Sequence, residues 1–409
     1  MSTTTNDATR KTTAPGKVRY ALILGGLSAF APLSVDMYLP ALPGMANDLH
    51  AGNAVLQVTL TMFIVGLALG QLVAGPLSDA LGRRKPLIVG LVLYAVSSVL
   101  CALSPSAGAL VGARVLEALG AAAGIVIARA IVRDLFSGVA MTRFFSMLML
   151  VSGLGPVLAP VVGGQLLRIT PWRGVFVVLA VIGVALLIAV SFALPEPLPP
   201  DQRRPARLGR TLRTYGELLA DRSFLGYALS AALVFAALFT YISASSFVLQ
   251  EVYGLSPQEF SFVFGANGLG IVFAGQLNAR LVGRFAERRL LAASLIMAML
   301  GGLGVLLAAV FALPLPALLV PLLFLVSSMG MVTPNASSLA MAEQPHRAGS
   351  ASALLGVLQF LIGGLATPLV GIGGESTAVP MGVVMAGFAT TALILFATMT
   401  RPTLRAEPA

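Results

Sequence analysis

Apolar residues in this chain come in runs of about twenty, separated by polar breaks, and the pattern recurs over nearly the whole length. A run of that size crosses the roughly 30 Å hydrocarbon layer of a bilayer as a helix. Twelve such spans can be drawn, at residues 19–43, 54–77, 86–104, 108–131, 143–167, 174–194, 223–250, 257–279, 289–311, 315–341, 348–371 and 379–400. With no water to satisfy it, the backbone of each span must close its own hydrogen bonds, which a helix does. The alternating ten-residue segments of a strand barrel do not occur. The pattern therefore predicts an all-α membrane protein with twelve transmembrane helices.

The polar breaks are unequal. The one at 195–222 holds Pro195, Pro197, Pro199, Pro200 and Pro205, then Arg203, Arg204, Arg207, Arg210 and Arg213, and it divides the spans six and six. A short surface helix is expected within it, from Arg207 to Leu219. The organisation read from this is a tail over 1–18, a six-helix bundle over 19–194, a linker over 195–222, a second bundle over 223–400 and a tail over 401–409. A short internal repeat supports the split. Gly70-Gln71-Leu72 followed by Arg83-Arg84 recurs 205 residues later as Gly275-Gln276-Leu277 followed by Arg288-Arg289. Parallel repeats with a binding site between the halves are a recurrent transporter plan, so two pseudo-symmetric six-helix bundles are expected.

Composition narrows the class. The chain is 57% hydrophobic and 10% charged, against roughly 25% charged for a soluble domain. The net charge of +10 suggests nucleic acid until the positions are read. Of 26 Lys and Arg residues, 22 lie in the tails and in loops that share one side; Arg168 and Arg173 lie opposite, and Arg114 and Arg129 lie within a span. That asymmetry is the positive-inside rule, and it places both termini in the cytoplasm. The lone Cys101 cannot form an internal disulfide, and residues 1–17 carry no cleavable signal pattern. The two histidines, His50 and His346, give no foothold for a metal cluster or a Ser/His arrangement. No G-x-x-x-x-G-K loop is present for ATP. Neither an enzyme nor a cofactor is expected.

Charged groups inside the spans carry the chemistry, because a carboxylate deep in a bilayer costs about 2.5–3.5 kcal/mol on insertion scales. Asp36 lies in the first span, in Ser34-Val35-Asp36-Met37-Tyr38-Leu39-Pro40, and is the candidate proton carrier. A helix-end carboxylate facing water is the competing reading, since Pro40 and Pro43 follow closely. In the fourth span Arg114 and Glu117 are three apart, so they share a helix face. They form a structural ion pair, or Arg114 tunes a carboxyl during proton transfer, with Glu117 as a second titrating group or a selector of cationic substrates. The loop after the second span reads Gly75-Pro76-Leu77-Ser78-Asp79-Ala80-Leu81-Gly82-Arg83-Arg84-Lys85. Its glycines allow a tight turn, and Asp79 at the membrane edge can pair with an arginine or a helix N-terminus. In the fifth span Gly155, Ala159 and Gly163 are four apart, the spacing that lets helices touch. Pro156 and Pro160 should bend that helix, and Gly164 closes the run. Tyr38, Phe239, Tyr241, Phe247, Asn335, Gln359 and Phe360 are the aromatic or polar in-span residues suited to an amphiphilic ligand.

Taken together these motifs resemble the major facilitator superfamily. The loop from Gly75 to Arg84 resembles its signature gate loop, and Arg114 to Gly124 its fourth-span motif, with Glu117 where glutamine is usual and Ala118 where glycine is usual. Gly155-Pro156 to Gly163-Gly164 is similar to its antiporter motif, with Ala159 in place of a glycine. Asp36 to Pro43 is similar to the first-span signature of the drug:proton antiporters, nearest to the bicyclomycin and chloramphenicol resistance branch. The resemblance implies proton-coupled efflux of small amphiphilic drugs or toxins across the bacterial inner membrane by alternating access. Asp36 and Arg114, with Glu117, would manage the proton, and Asp79, Gly82, Arg83 and Arg84 would hold the gate facing the cytoplasm. Export of an endogenous metabolite and uptake symport are the alternatives. The partners implied are a drug-like small molecule and membrane lipid, with the proton as coupling ion, no nucleic acid and a monomeric chain.

Overall fold

The protein is described here from a computed structural model, over residues 14–136, 138–203, 208–342, 344, 348–372 and 377–400. Among these residues there is no strand, only an isolated bridge between Val282 and Phe285. The helices run α1 Ala14–Asp36, α2 Leu42–Asp48, α3 Asn53–Leu81, α4 Arg84–Ala102, α5 Ala107–Leu135, α6 Gly138–Leu166 and α7 Arg173–Ala193. After the linker helix α8 Leu208–Leu219 come α9 Arg222–Phe247, α10 Pro257–Leu281, α11 Glu287–Val310, α12 Leu315–Ala342, α13 Ala348–Ile372 and α14 Val379–Met399. Ten stretches are long and apolar enough to cross a membrane, and α6 and α13 contain the further apolar stretches Leu154–Leu166 and Ala351–Ala366.

Local sequence explains where these helices begin and end. Ser106 caps α5 by accepting from the Ala109 amide, and Asp221 caps α9 by accepting from Ser223 and Phe224. Ser256 and Glu259 form a reciprocal capping box on α10, with Pro257 in its first turn. The first span departs from the continuous helix the hydropathy suggests. The helix stops at Asp36, a 3₁₀ turn follows at Leu39–Ala41, and α2 resumes at Leu42. Pro40 and Pro43 lack the amide donors a continuing helix needs.

Packing follows the repeat. In the first six spans α5 packs on α3, α4 and α1, α1 on α6, and α4 on α7. In the second six α9 packs on α13 and α14, α11 on α12 and α14, and α10 on α12. The halves meet through α6 against α10 and α3 against α13. Helix α9 has 83% of its apolar window buried and α7 only 33%, so α9 is central and α7 faces outward. We call the end of the bundle bearing Arg83 and Arg288 the basic end, and the end bearing α2 and Trp172 the opposite end.

Candidate functional site

Asp36 sits at the last residue of α1 and is 3% exposed. Among the described residues no hydrogen bond or ion pair reaches its carboxyl group. The Tyr241 side chain, on α9 of the other half, lies within electrostatic reach of it. The antiporter-like stripe of α6 explains how the chain is pressed together here. A β-carbon on Gly155 would strike the ring of Pro32, and one on Gly163 would overlap the carbonyl of Met37, so α6 can touch α1 only through glycine.

Directly beyond Asp36 the two halves are stitched together at the opposite end. Ser246 donates to the Leu39 carbonyl at 2.5 Å and Gln250 to the Pro40 carbonyl at 3.3 Å. Asn53 donates to Glu251 at 2.9 Å, and Gln258 to the Gly164 carbonyl at 2.9 Å. Outside this seam lies a cavity of about 310 Å³, whose lining includes Pro40, Asp48, Trp172, Arg173 and Gln250. The Trp172 indole donates to Asp48 at 2.9 Å, and the Arg173 guanidinium lies 4.2 Å from the indole centroid. Asp36 is therefore an interior group, and the water-facing helix-end reading is not the arrangement observed.

A second cluster lies behind α1. Arg114 and Glu117 are both fully buried and pair at 2.6 Å. Ser98 donates to Glu117 at 2.8 Å, with the Cys101 thiol 3.8 Å away. Arg114 also donates to the Ser34 carbonyl at 2.8 Å, and its guanidinium lies 4.1 Å from the Phe63 centroid and 4.6 Å from that of Tyr38. The Tyr38 hydroxyl shares a hydrogen bond with Thr59 at 3.0 Å. Of the readings open for Glu117, the ion pair is the geometry found, and the carboxylate presents no face to solvent.

The loop after α3 forms a third cluster. Arg83, 3% exposed, donates to Asp79 at 2.5 Å, to Ser78 at 2.8 Å and to Asp134 at 2.7 Å. Burial works against its charge, and hydrogen bonds and charges from Asp134 and Asp79 outweigh it, so Arg83 holds its proton above the usual arginine range. The linker reaches in as well. Glu196 accepts from the amides of Arg83 and Arg84 at 2.8 and 3.0 Å, while the Arg84 side chain donates to the Ser191 carbonyl. Gly82 sits at φ +91°, and a β-carbon there would fall 2.7 Å from the Glu196 carboxylate. Asp134 and Glu196 were not singled out from sequence. Gly75 abuts Val126 of α5, and Pro156 and Pro160 lie within α6.

The other residues singled out for a ligand divide into groups. Phe235, not anticipated, joins Phe239 and Phe360, with centroids at 5.0 and 5.5 Å. Tyr241 stacks on Phe264 at 5.1 Å and accepts from Asn267 at 2.9 Å. Phe247 is buried at the end of α9, and Gln359 is half-buried on α13. Asn335 is set apart: its amide is spent within the second half, on Asn278 at 2.7 Å and the Met331 carbonyl at 2.8 Å.

With this geometry in view, the likenesses to known proteins are direct. Residues 24–368 match the family model of the Major Facilitator Superfamily. The MFS-type transporter YdgK of Bacillus subtilis (strain 168), itself uncharacterized, is 45% identical over 90% of this chain and 93% of its own length. The bicyclomycin resistance protein homolog of Haemophilus influenzae (strain ATCC 51907 / DSM 11121 / KW20 / Rd) is 32% identical over 88% of this chain and 91% of its own. Among solved structures, the xylose transporter XylE from E. coli, in a partially occluded inward open conformation, superposes with a TM-score of 0.75 at 14% identity, covering 97% of this chain and 100% of that one. That identity speaks for the fold alone. The chain is a multi-pass membrane transporter rather than an enzyme, and it belongs to the Major Facilitator Superfamily, in the branch of the bicyclomycin resistance proteins.

Proposed function

We propose that this protein exports small amphiphilic drugs or toxins across the bacterial cytoplasmic membrane in exchange for protons, with both termini in the cytoplasm and the basic end facing inward. The observation that carries the reading is Asp36, buried without a partner just beneath the seam that joins the halves. An unpaired carboxylate is costly in a dry site, and neutralising it with a proton removes most of that cost. The seam at Leu39–Ser246 and Pro40–Gln250 can therefore close over Asp36 once the group is protonated. When the seam parts, Asp36 takes a proton from outside. When it closes and the cavity opens at the basic end, arriving substrate displaces that proton into the cytoplasm. Return of the cavity carries substrate out. One charge moved through 100 mV is worth about 2.3 kcal/mol, enough for roughly a fifty-fold gradient.

Arg114 lies one turn of contacts away, bound to the Ser34 carbonyl two residues before Asp36. Its charge is balanced by Glu117, and its hydrogen bond holds in place the end of α1 that carries Asp36. The Phe235, Phe239 and Phe360 rings supply an apolar surface suited to a drug-like ligand. The likeness to a bicyclomycin resistance protein supports the substrate class and the direction. The test is proton release from purified protein in detergent on addition of a chloramphenicol-like or cationic toxin. Wild type should release protons and Asp36→Asn none; equal release from both would exclude Asp36 as the carrier.

A further inference from the structure

Asp36, Arg114, Glu117 and Arg129 are charged side chains within the spans of the first half, and three of them are accounted for above. Arg114 and Glu117 satisfy each other, and Asp36 is the carrier proposed above. The fourth is Arg129 on α5. It makes no hydrogen bond or ion pair among the described residues, yet its side chain is solvent-accessible. It lies six residues before the end of α5 at Leu135, about 9 Å along the axis at 1.5 Å per residue. Two residues inside the span drawn to residue 131, it keeps its charge because water or an anion reaches the guanidinium.

Helix geometry shows which way it points. A β-carbon on Gly120 would meet the backbone of Gly90 and Tyr94, so the Gly120 strip of α5 faces α4. Arg129 is nine residues on, which at 100° per residue is the reverse side. Val126 abuts Gly75 on α3, and Gly124 faces Phe30 and Leu27 on α1. Arg129 thus emerges between the strips that face α3 and α1. The second half lies on that side, where Gly364 of α13 meets Ile64 and Val65 of α3. Helix α4, in contrast, turns Val89, Val92, Val96 and Val99 outward. Arg129 therefore faces the space between the halves and not the lipid beyond α4.

Among the described residues no carboxylate pairs with it. At the basic end Asp79 and Asp134 are bound by Arg83, Glu196 by backbone amides, Asp221 by the α9 cap and Gln344, and Glu287 by Ser338. Asp36 and Glu117 are too distant: Arg114, which touches both Ser34 and Glu117, is fifteen residues away along α5, about 22 Å. One turn beyond Arg129 stands Arg133, 65% exposed and only 3.9 Å from Asp134. Two like charges four apart on a helix repel, and here an external anion would relieve them.

We propose that Arg129, supported by Arg133, is an oxyanion-binding subsite on the cavity wall near the basic end, taking the carboxylate, phosphate or sulfonate of an amphiphilic compound. This deepens the export reading by adding an anionic class to the substrates, and it rests on that reading for transport but not for binding. The subsite lies some 20 Å from Asp36 along the bundle, so an anion can dock before the proton site is reached.

Equilibrium binding to the full chain in nanodiscs, with no gradient, tests the subsite apart from export. The probes are fluorescein, an anionic carboxylated dye, and ethidium, a cationic one. Arg129→Gln should weaken fluorescein binding roughly tenfold or more, the scale of a lost hydrogen bond to a charged group. Arg129→Lys should keep most of it, and ethidium binding should hold or rise. Thermal unfolding of each variant identifies any that fails to fold, in which case Arg129→Lys against Arg129→Met decides. Undetectable fluorescein binding by wild type, unchanged binding in Arg129→Gln, or an equal loss for both dyes would each overturn the proposal. Nanodiscs with and without phosphatidylglycerol separate the sources of the oxyanion. Loss of retained phosphatidylglycerol in Arg129→Gln, with fluorescein binding intact, would assign the site to a lipid headgroup and overturn the substrate assignment.

Discussion

The two halves share one plan and differ in charge. In the first half Arg83 is held by two carboxylates, Asp79 and Asp134. Its repeat partner in the second half, Arg288, donates instead to the hydroxyls of Tyr227 and Thr400 and lies 4.6 Å from the Phe396 centroid. Arg284 stands where the repeat would place Asp79. The interior shows the same contrast. The first half buries Asp36, Arg114 and Glu117; the second buries Tyr241, Asn267, Asn278 and Asn335, and no ion pair falls within its described residues. Neutral partners hold a helix in place at any pH and in either state of the cycle. Charged ones respond to protons and to each other. On the proposed export cycle, coupling and latching belong to the first half, and the second is the neutral wall against which it works.

Exchanging character between the halves tests this, and the largest effect belongs to the proposed proton carrier. Asp36→Asn should reduce pH-gradient-driven efflux in vesicles to background with the protein still folded, whereas Tyr241→Phe, facing it from the second half, should lower the rate only several-fold. Equal losses would erase the contrast. Next comes the buried pair. Glu117→Gln strands Arg114 without a counter-charge, and such losses cost about 3–5 kcal/mol. Its unfolding midpoint should fall sharply, and replacing both residues with methionine should restore most of the loss. If the double variant is no more stable than the single, Arg114 is not the strained partner.

The repeat arginines give a smaller, sharper comparison. Lysine cannot span Asp79, Asp134 and Ser78 at once, because a single ammonium replaces a planar fork. Arg83→Lys should slow transport at least tenfold, while Arg288→Lys should stay within about twofold of wild type. Smallest of all, Arg213→Ala removes an exposed pair with Glu217 on α8 and should change stability by at most about 1 kcal/mol, the ordinary worth of a surface ion pair.

Much of this was legible along the chain, for reasons that also mark where legibility stops. Spans announce themselves because a membrane demands twenty apolar residues wherever one crosses. The Arg114–Glu117 pair was readable because three residues apart is a local relation on any helix. Asp134 was not, because it meets Arg83 only once the end of α5 packs beside the end of α3, 51 residues away in sequence. Glu196 caps α4 across an even longer separation, from a linker that reads only as proline-rich. The break after Asp36 had its signal in Pro40 and Pro43, but the hydropathy of Leu39 to Leu42 concealed it. That Tyr241 approaches Asp36 depends on how the halves dock, which no single span encodes.

Trp172 is the chain's one tryptophan, and the fold has set it against the outer margin of the closed seam, donating to Asp48 beneath the charge of Arg173. Its ultraviolet emission therefore comes from a single place. Any parting of the halves there changes the polarity around one indole, and excitation at the red edge, which the seven tyrosines do not absorb, reads that indole alone, so the unlabelled protein carries its own optical gauge of which side is open.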